Sequence, residues 1–210
     1  KNIRFEKDHL KKIEILVALI LSGLAFKEYE ENFKIGIKEL EKFVKYNFDP
    51  DGFPLSRNPS ELIFLSKYLI LCSESIKDAQ KYIPEFLEDI IEKSLSCVNL
   101  IKTPDNNIPL FNGGSCNDLS NFEEYLKKTS KRKNDIIGGI FFAKTKSQAF
   151  YLDVGCPPSK NFSRNYQSGP LSFEYYLDGI KIITNCGYGN RISSKAELIS
   201  KFTASHSTLT

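Results

Sequence analysis

Leu171-Ser172-Phe173-Glu174-Tyr175-Tyr176-Leu177-Asp178-Gly179-Ile180-Lys181-Ile182-Ile183-Thr184 decides how this chain is read. Two runs rich in aromatic and β-branched residues flank Asp178-Gly179, a two-residue turn signal, and predict a β-hairpin. Just upstream, Ile140 to Lys144 and Ala149 to Asp153 flank Thr145-Lys146-Ser147-Gln148 and predict a second one. Downstream, Asn185-Cys186-Gly187 closes a strand, with Cys186 as a small buried hydrophobe. Thr203-Ala204-Ser205-His206 reads as a further strand bearing one of the chain's two histidines. Alternation along Phe173-Glu174-Tyr175 turns Glu174 toward solvent or an inter-domain cleft.

The first half has a different period. Leu10, Ile13, Leu16, Val17, Ile20, Leu21 and Leu24 recur at helical spacing, as do Phe33, Ile37, Leu40 and Val44. Asp49-Pro50-Asp51-Gly52-Phe53-Pro54 can continue neither helix nor strand. A third helix is expected from Pro59, a residue suited to the first helical turn, and a fourth from near Pro84. A short helix is expected at Phe122 to Lys128. Helices of this length with short connections favour antiparallel neighbours. The sequence therefore divides into a helical part (1–116), a polar linker (117–135) and a β-rich part (136–210), an α+β multidomain architecture.

Composition excludes several classes. A net charge of +3 over 210 residues, with both signs interspersed, is too small to indicate nucleic acid. The basic run Lys127-Lys128 and Lys131-Arg132-Lys133 reads as a solvated linker. Five cysteines without CxxC spacing support neither a disulfide framework nor a structural zinc. The longest apolar run is too short to span a bilayer. The chain opens in what reads as mid-helix and lacks Met, so it is expected to be a piece of a longer protein.

Several segments, taken in order, resemble heparinase II/III-like polysaccharide lyases, alphaproteobacterial ones in particular. They are Asp51-Gly52-Phe53-Pro54-Leu55-Ser56-Arg57-Asn58-Pro59, Pro109-Leu110-Phe111-Asn112-Gly113, and Asp153-Val154-Gly155-Cys156-Pro157-Pro158. Gly169-Pro170-Leu171-Ser172-Phe173-Glu174, Asn185-Cys186-Gly187 and Ala204-Ser205-His206-Ser207-Thr208-Leu209 complete the series. The resemblance implies an incomplete (α/α) toroid of helical hairpins followed by the start of an antiparallel β-sandwich. It also implies β-elimination on an acidic, uronate-containing polysaccharide such as a glycosaminoglycan or alginate. No cofactor is needed; the sequence does not name the compartment, a periplasmic or cell-envelope one being favoured. Such chemistry needs a group that neutralises the uronate carboxylate, a base for the C5 proton and an acid for the leaving oxygen.

Carried onto this chain, the resemblance makes Arg57 a carboxylate clamp and His206 the residue that orients substrate or shuttles a proton. Asn58, Tyr166, Gln167 and Asn185 become substrate contacts. Plainer roles stand beside these: helix capping for Arg57 and Asn58, packing for Tyr166, a turn-shaping role for Asn112, a backbone-bonded structural histidine for His206. Metal-containing relatives build a site at the positions of Gln167, Asn185 and His206. One imidazole and two amides make a poor zinc site, so no bound metal is expected. The tyrosine that relatives carry falls at Glu61, and no Asn-His pair is matched at Asp8-His9. An alternative reading is an inactive, glycan-binding or envelope-associated homologue, and a third a helical scaffold for protein partners.

Overall fold

The computed structural model describes residues 6–117, 119–127 and 135–208. The basic run at Lys128 and Lys131-Arg132-Lys133 lies outside these residues, as does Leu209. Four long helices come first: α1 His9–Ala25, α2 Glu30–Asn47, α3 Pro59–Asp78 and α4 Glu85–Ile101. They are helical hairpins, α1 packing on α2 and on α3, and α3 on α4. Two of them begin on a side-chain cap. Asp8 caps α1, its carboxylate accepting from the Leu10 amide. Asn58 caps α3 through the Ser60 and Glu61 amides, with Pro59 in the first turn.

Gly23 and Gly36 set how closely α1 and α2 approach. A Cβ on Gly23 would lie 2.3 Å from the Phe33 backbone nitrogen, and one on Gly36 2.5 Å from the Ile20 side chain. Ile13, Leu16, Val17 and Ile20 of α1 join Leu40, Leu65 and Leu69 in a core that belongs to the helices alone.

A short helix, α5 Glu123–Leu126, precedes a five-stranded antiparallel meander: β1 Ile136–Ile137, β2 Ile140–Lys144, β3 Gln148–Asp153, β4 Phe173–Leu177 and β5 Ile180–Ile183. Both predicted hairpins are present as β2–β3 and β4–β5. One sheet face is laid on α3 and α4. Ile137, Ile140, Ala149, Tyr151 and Tyr176 share a cluster with Leu62, Ile63, Leu95, Val98 and Ile101. Leu119, Phe122 and Leu126, from the stretch expected to link the two parts, sit in that cluster too. Tyr151 and Tyr176 meet edge to face at 5.9 Å, and the Tyr151 hydroxyl donates to the Lys102 carbonyl at the end of α4. Lys144 closes the same helix end by donating to the Leu100 and Lys102 carbonyls. Burial, with Lys102 nearby, lowers its pKa to about 8.

Two sequence expectations are overturned. Thr203-Ala204-Ser205 is a single 3₁₀ turn, not a strand; it follows the short helix α6 Ser194–Ile199. Glu174 is fully buried on the covered face of β4, while Phe173 and Tyr175 occupy the half-buried face.

Candidate functional site

The loop before α3 sends Arg57 into the β part, where every guanidinium donor is engaged. Nε donates to the Gly138 carbonyl at 3.0 Å, and Nη1 to the carbonyls of Gly155 and Cys156 at 2.9 and 2.8 Å. Nη2 donates to the Gly139 carbonyl at 3.2 Å and to the Asp153 carboxylate. Glycine at 139 and 155 is what lets the fork in: a Cβ would stand 2.6 and 2.4 Å from guanidinium atoms. Asp153 is nearly inaccessible; burial pushes its pKa up and Arg57 only partly offsets this. Arg57 has five N–H donors and five acceptors, so none remains to clamp a substrate carboxylate. Its role here is to fasten the helical part to the β part. Tyr166 lies beside the same guanidinium. Its pKa is raised by burial first, then by Asp153, against the opposing pull of Arg57.

His206, Asn185 and Gln167 do come together, beneath the surface. Asn185 Oδ1 accepts from His206 Nδ1 at 2.8 Å, and Asn185 Nδ2 donates to the Leu110 carbonyl at 3.0 Å. That acceptor fixes the proton on Nδ1. Gln167 Oε1 accepts from the Gly113 amide at 2.9 Å, while Nε2 donates to the carbonyls of Gly187 and Ser200, each at 2.8 Å. His206 Nε2 is buried and unpartnered. Burial lowers the His206 pKa, against the Ser200 carbonyl and the Asp153 charge. Cys186 is exposed rather than buried, its Sγ 3.7 Å from His206 Nδ1.

This trio does not fit a metal. Both polar atoms of each amide already bond within the protein, leaving one imidazole nitrogen. Among the described residues no group of three His, Cys, Asp or Glu could hold an ion. Chelator treatment should therefore leave the melting temperature unchanged. A zinc-dependent rise, by the mass-action stabilisation that a bound ion brings, would contradict that.

The accessible chemistry lies elsewhere, along a groove between the two parts. A cleft of about 700 Å³ adjoins one of about 310 Å³, and Leu10, Glu61, Asn165, Tyr188 and Asn190 line both. His9 and Arg164 line the larger, Asn58 the smaller. Neither Arg57 nor His206 lines either; Arg57 borders a separate cleft of about 630 Å³. Arg57 and His206, the clamp and proton shuttle expected from sequence, therefore take no part in lining this groove.

Its central feature is a pair 52 residues apart in sequence: His9 Nε2 lies 2.8 Å from Glu61 Oε2. Glu61 is the third residue after the cap Asn58, the spacing of a capping box, in which its carboxylate would return to the Asn58 amide. The Asn58 amide instead faces Ser56 Oγ at 3.4 Å, and Glu61 turns to His9. Across the groove Tyr188 donates to Glu197 at 2.6 Å and approaches Asn165 Oδ1 at 3.3 Å. Burial first, and then Glu197, raise its pKa to about 12. Arg164 is largely exposed and pairs with Asp8 at 3.1 Å. Of these groove residues only Asn58 was expected from sequence to be a substrate contact. The Asn58–Glu61 spacing and the Asp8-His9 pair at a helix start are the sequence features that could have marked Glu61 and His9; none singles out Tyr188 or Arg164.

Residues 137–210 match the family described as Heparinase II/III-like, C-terminal. In fold, the chain superposes on a crystal structure of heparinase III with a TM-score of 0.79 at 15% identity, covering 96% of this chain and 38% of that one. It superposes on a mutant of the heparan sulfate lyase HepC from Pedobacter heparinus with a TM-score of 0.78 at 18% identity, covering 95% and 36%. The chain thus spans less than two-fifths of the length of either structure. No curated protein matches it in sequence. The family match thus rests on residues 137–210, while the helices and sheet together take the fold seen in heparinase III.

Proposed function

We propose that the chain carries the substrate groove of a polysaccharide lyase that cleaves an acidic, uronate-containing glycan by β-elimination. The observation that supports this reading best is the groove itself. It runs between the N-terminal ends of α1 and α3 on one side and the loops following β3 and β5 on the other, and its walls concentrate titratable groups. β-Elimination needs three things of such a groove. A cation must offset the uronate carboxylate as charge moves onto it; Arg164 is exposed and pairs with Asp8 at the rim. An acid must protonate the leaving oxygen; Tyr188, with a pKa near 12, holds its proton at neutral pH. A base must take the C5 proton. Asn58 remains a candidate contact in the narrower cleft, although its Oδ1 is engaged in capping α3.

The test is an assay of the protein on heparan sulfate, other glycosaminoglycans and alginate. The expected result is the ultraviolet absorbance of an unsaturated uronate from one of them. The second reading, a homologue that binds glycan without turnover, draws support from Arg57 and His206. Both lie in segments that resemble lyases, yet both are engaged inside the protein. Saturable glycan binding with no new absorbance on any acidic glycan would favour it.

A further inference from the structure

Within the lyase reading, on which this step rests, we infer that His9 is the base of the groove and that Glu61 is its positioning residue. The geometry carries the assignment. Glu61 stands on the first turn of α3, its side chain 6% exposed, and takes the Nε2 side of the imidazole at 2.8 Å. A carboxylate there accepts the Nε2–H, which leaves the lone pair on Nδ1. Nδ1 has no hydrogen-bond partner among the described residues, and it is not among the buried unpartnered atoms. The Phe162 ring meets the imidazole near edge-on at 6.2 Å, giving the ring a second constraint. His9 is 21% exposed and lines the larger cleft, with Tyr188 on another part of the wall.

Nδ1 takes the proton from the carbon beside the uronate carboxylate. The C–H electron pair becomes the new C4–C5 double bond, and the C4–O bond breaks. Its electron pair leaves on the glycosidic oxygen, which takes the Tyr188 proton. The imidazolium formed is held by Glu61, and exchange with water restores both groups.

The charged surroundings set the pH at which the base is available. Glu61 faces His9 from α3, Asp8 from its own cap, and Arg164 from the loop after β3. Glu6, Lys7, Lys11 and Lys12 stand on the approach to α1 and on the helix itself, and Glu197 and Lys201 lie on the wall with Tyr188. Burial alone would depress the His9 pKa; the Glu61 bond and charge, with Asp8, outweigh burial and Arg164 and raise it. A base must be neutral, so turnover should rise with pH through this raised value.

The experiment measures kcat/KM against pH for the whole protein and for His9→Ala, His9→Gln and Glu61→Gln. His9→Ala and His9→Gln should each lose about 10²–10⁴-fold, the usual contribution of general base catalysis. Glu61→Gln should lose about 10–100-fold and move the acid limb to lower pH, as expected when an orienting partner that also raises the pKa is removed. Titration of the His9 ring protons by NMR should show the same downward shift in Glu61→Gln, with circular dichroism verifying the fold. An active wild type whose His9 variants keep their rate and whose Glu61→Gln profile does not move overturns the assignment and leaves the lyase reading standing. A wild type inactive on every acidic glycan overturns both.

Discussion

Replacing Arg57 with alanine should destabilise the protein by about 3–5 kcal/mol, read as a drop in the urea midpoint, because it strands a buried charge. The partner left behind is Asp153, whose side chain is only 2% exposed. Four carbonyls, those of Gly138, Gly139, Gly155 and Cys156, also lose a donor. Lysine should recover only part of the loss, since a single ammonium has three donors and no planar fork. The backbone adds to the case. Arg57 sits at φ 57°, where a non-glycine residue is held at a cost of about 1–3 kcal/mol by the surrounding structure. Arg57→Ala keeps that strain and loses the side chain that compensates for it, so Arg57→Gly should be the milder variant.

The pH dependence distinguishes the buried charge from lost packing. Burial raises the Asp153 pKa even with Arg57 present, and without Arg57 it should rise further. As pH falls and Asp153 takes up its proton, the penalty of Arg57→Ala should shrink. The double variant Arg57→Ala with Asp153→Asn should recover part of the loss at neutral pH. A cost below about 1 kcal/mol, the range of exposed ion pairs, would show that the guanidinium does not fasten the two parts.

The helices were legible because their cores are stripes on one face, and the caps at Asp8 and Asn58 mark where two of them begin. The hairpins were legible from their turns. What failed were readings that assume polar residues face out. Period-two alternation fixes which residues share a face and not which face is covered. On β4 the covered face carries Glu174 and Tyr176, the half-buried one Phe173 and Tyr175, so the rule gave the pairing right and the side wrong. Thr203 to Ser205 read as strand from local propensity, yet that stretch makes no ladder and turns instead. Site geometry was less legible still. Arg57 finds its acceptors 81 to 99 residues away, and His9 meets Glu61 across 52 residues. No local pattern encodes such meetings; only the packing of the sheet on α3 and α4 creates them.

Glu174→Ala should be the second large effect, about 3–5 kcal/mol, because it empties a fully buried position and takes the acceptor from two amides. Oε1 accepts from the Leu110 and Asn185 amides, each at 3.2 Å, and Oε2 lies 3.2 Å from Lys181 Nζ. Alanine would orphan both amides and leave Lys181, whose side chain is 20% exposed, against the Tyr176 ring at 5.2 Å. The loss should reach the imidazole cluster, since the Asn185 amide that Glu174 holds belongs to the residue that accepts from His206. Glutamine should behave differently. Burial is the largest influence on Glu174 and raises its pKa, with Lys181 and the two amides opposing. The folded state therefore binds the Glu174 proton more tightly than the unfolded chain. Stability from this group falls as pH climbs from the unfolded carboxylate value, about 4.3, through the raised folded value, and is level above it. Glu174→Gln resembles the protonated form and keeps an acceptor for both amides, so it should stay within about 1 kcal/mol of wild type at neutral pH. It should also remove that slope from the stability profile. Equal losses for alanine and glutamine would mean that the negative charge itself, and not the filled and hydrogen-bonded position, holds β4 against the Leu110 loop.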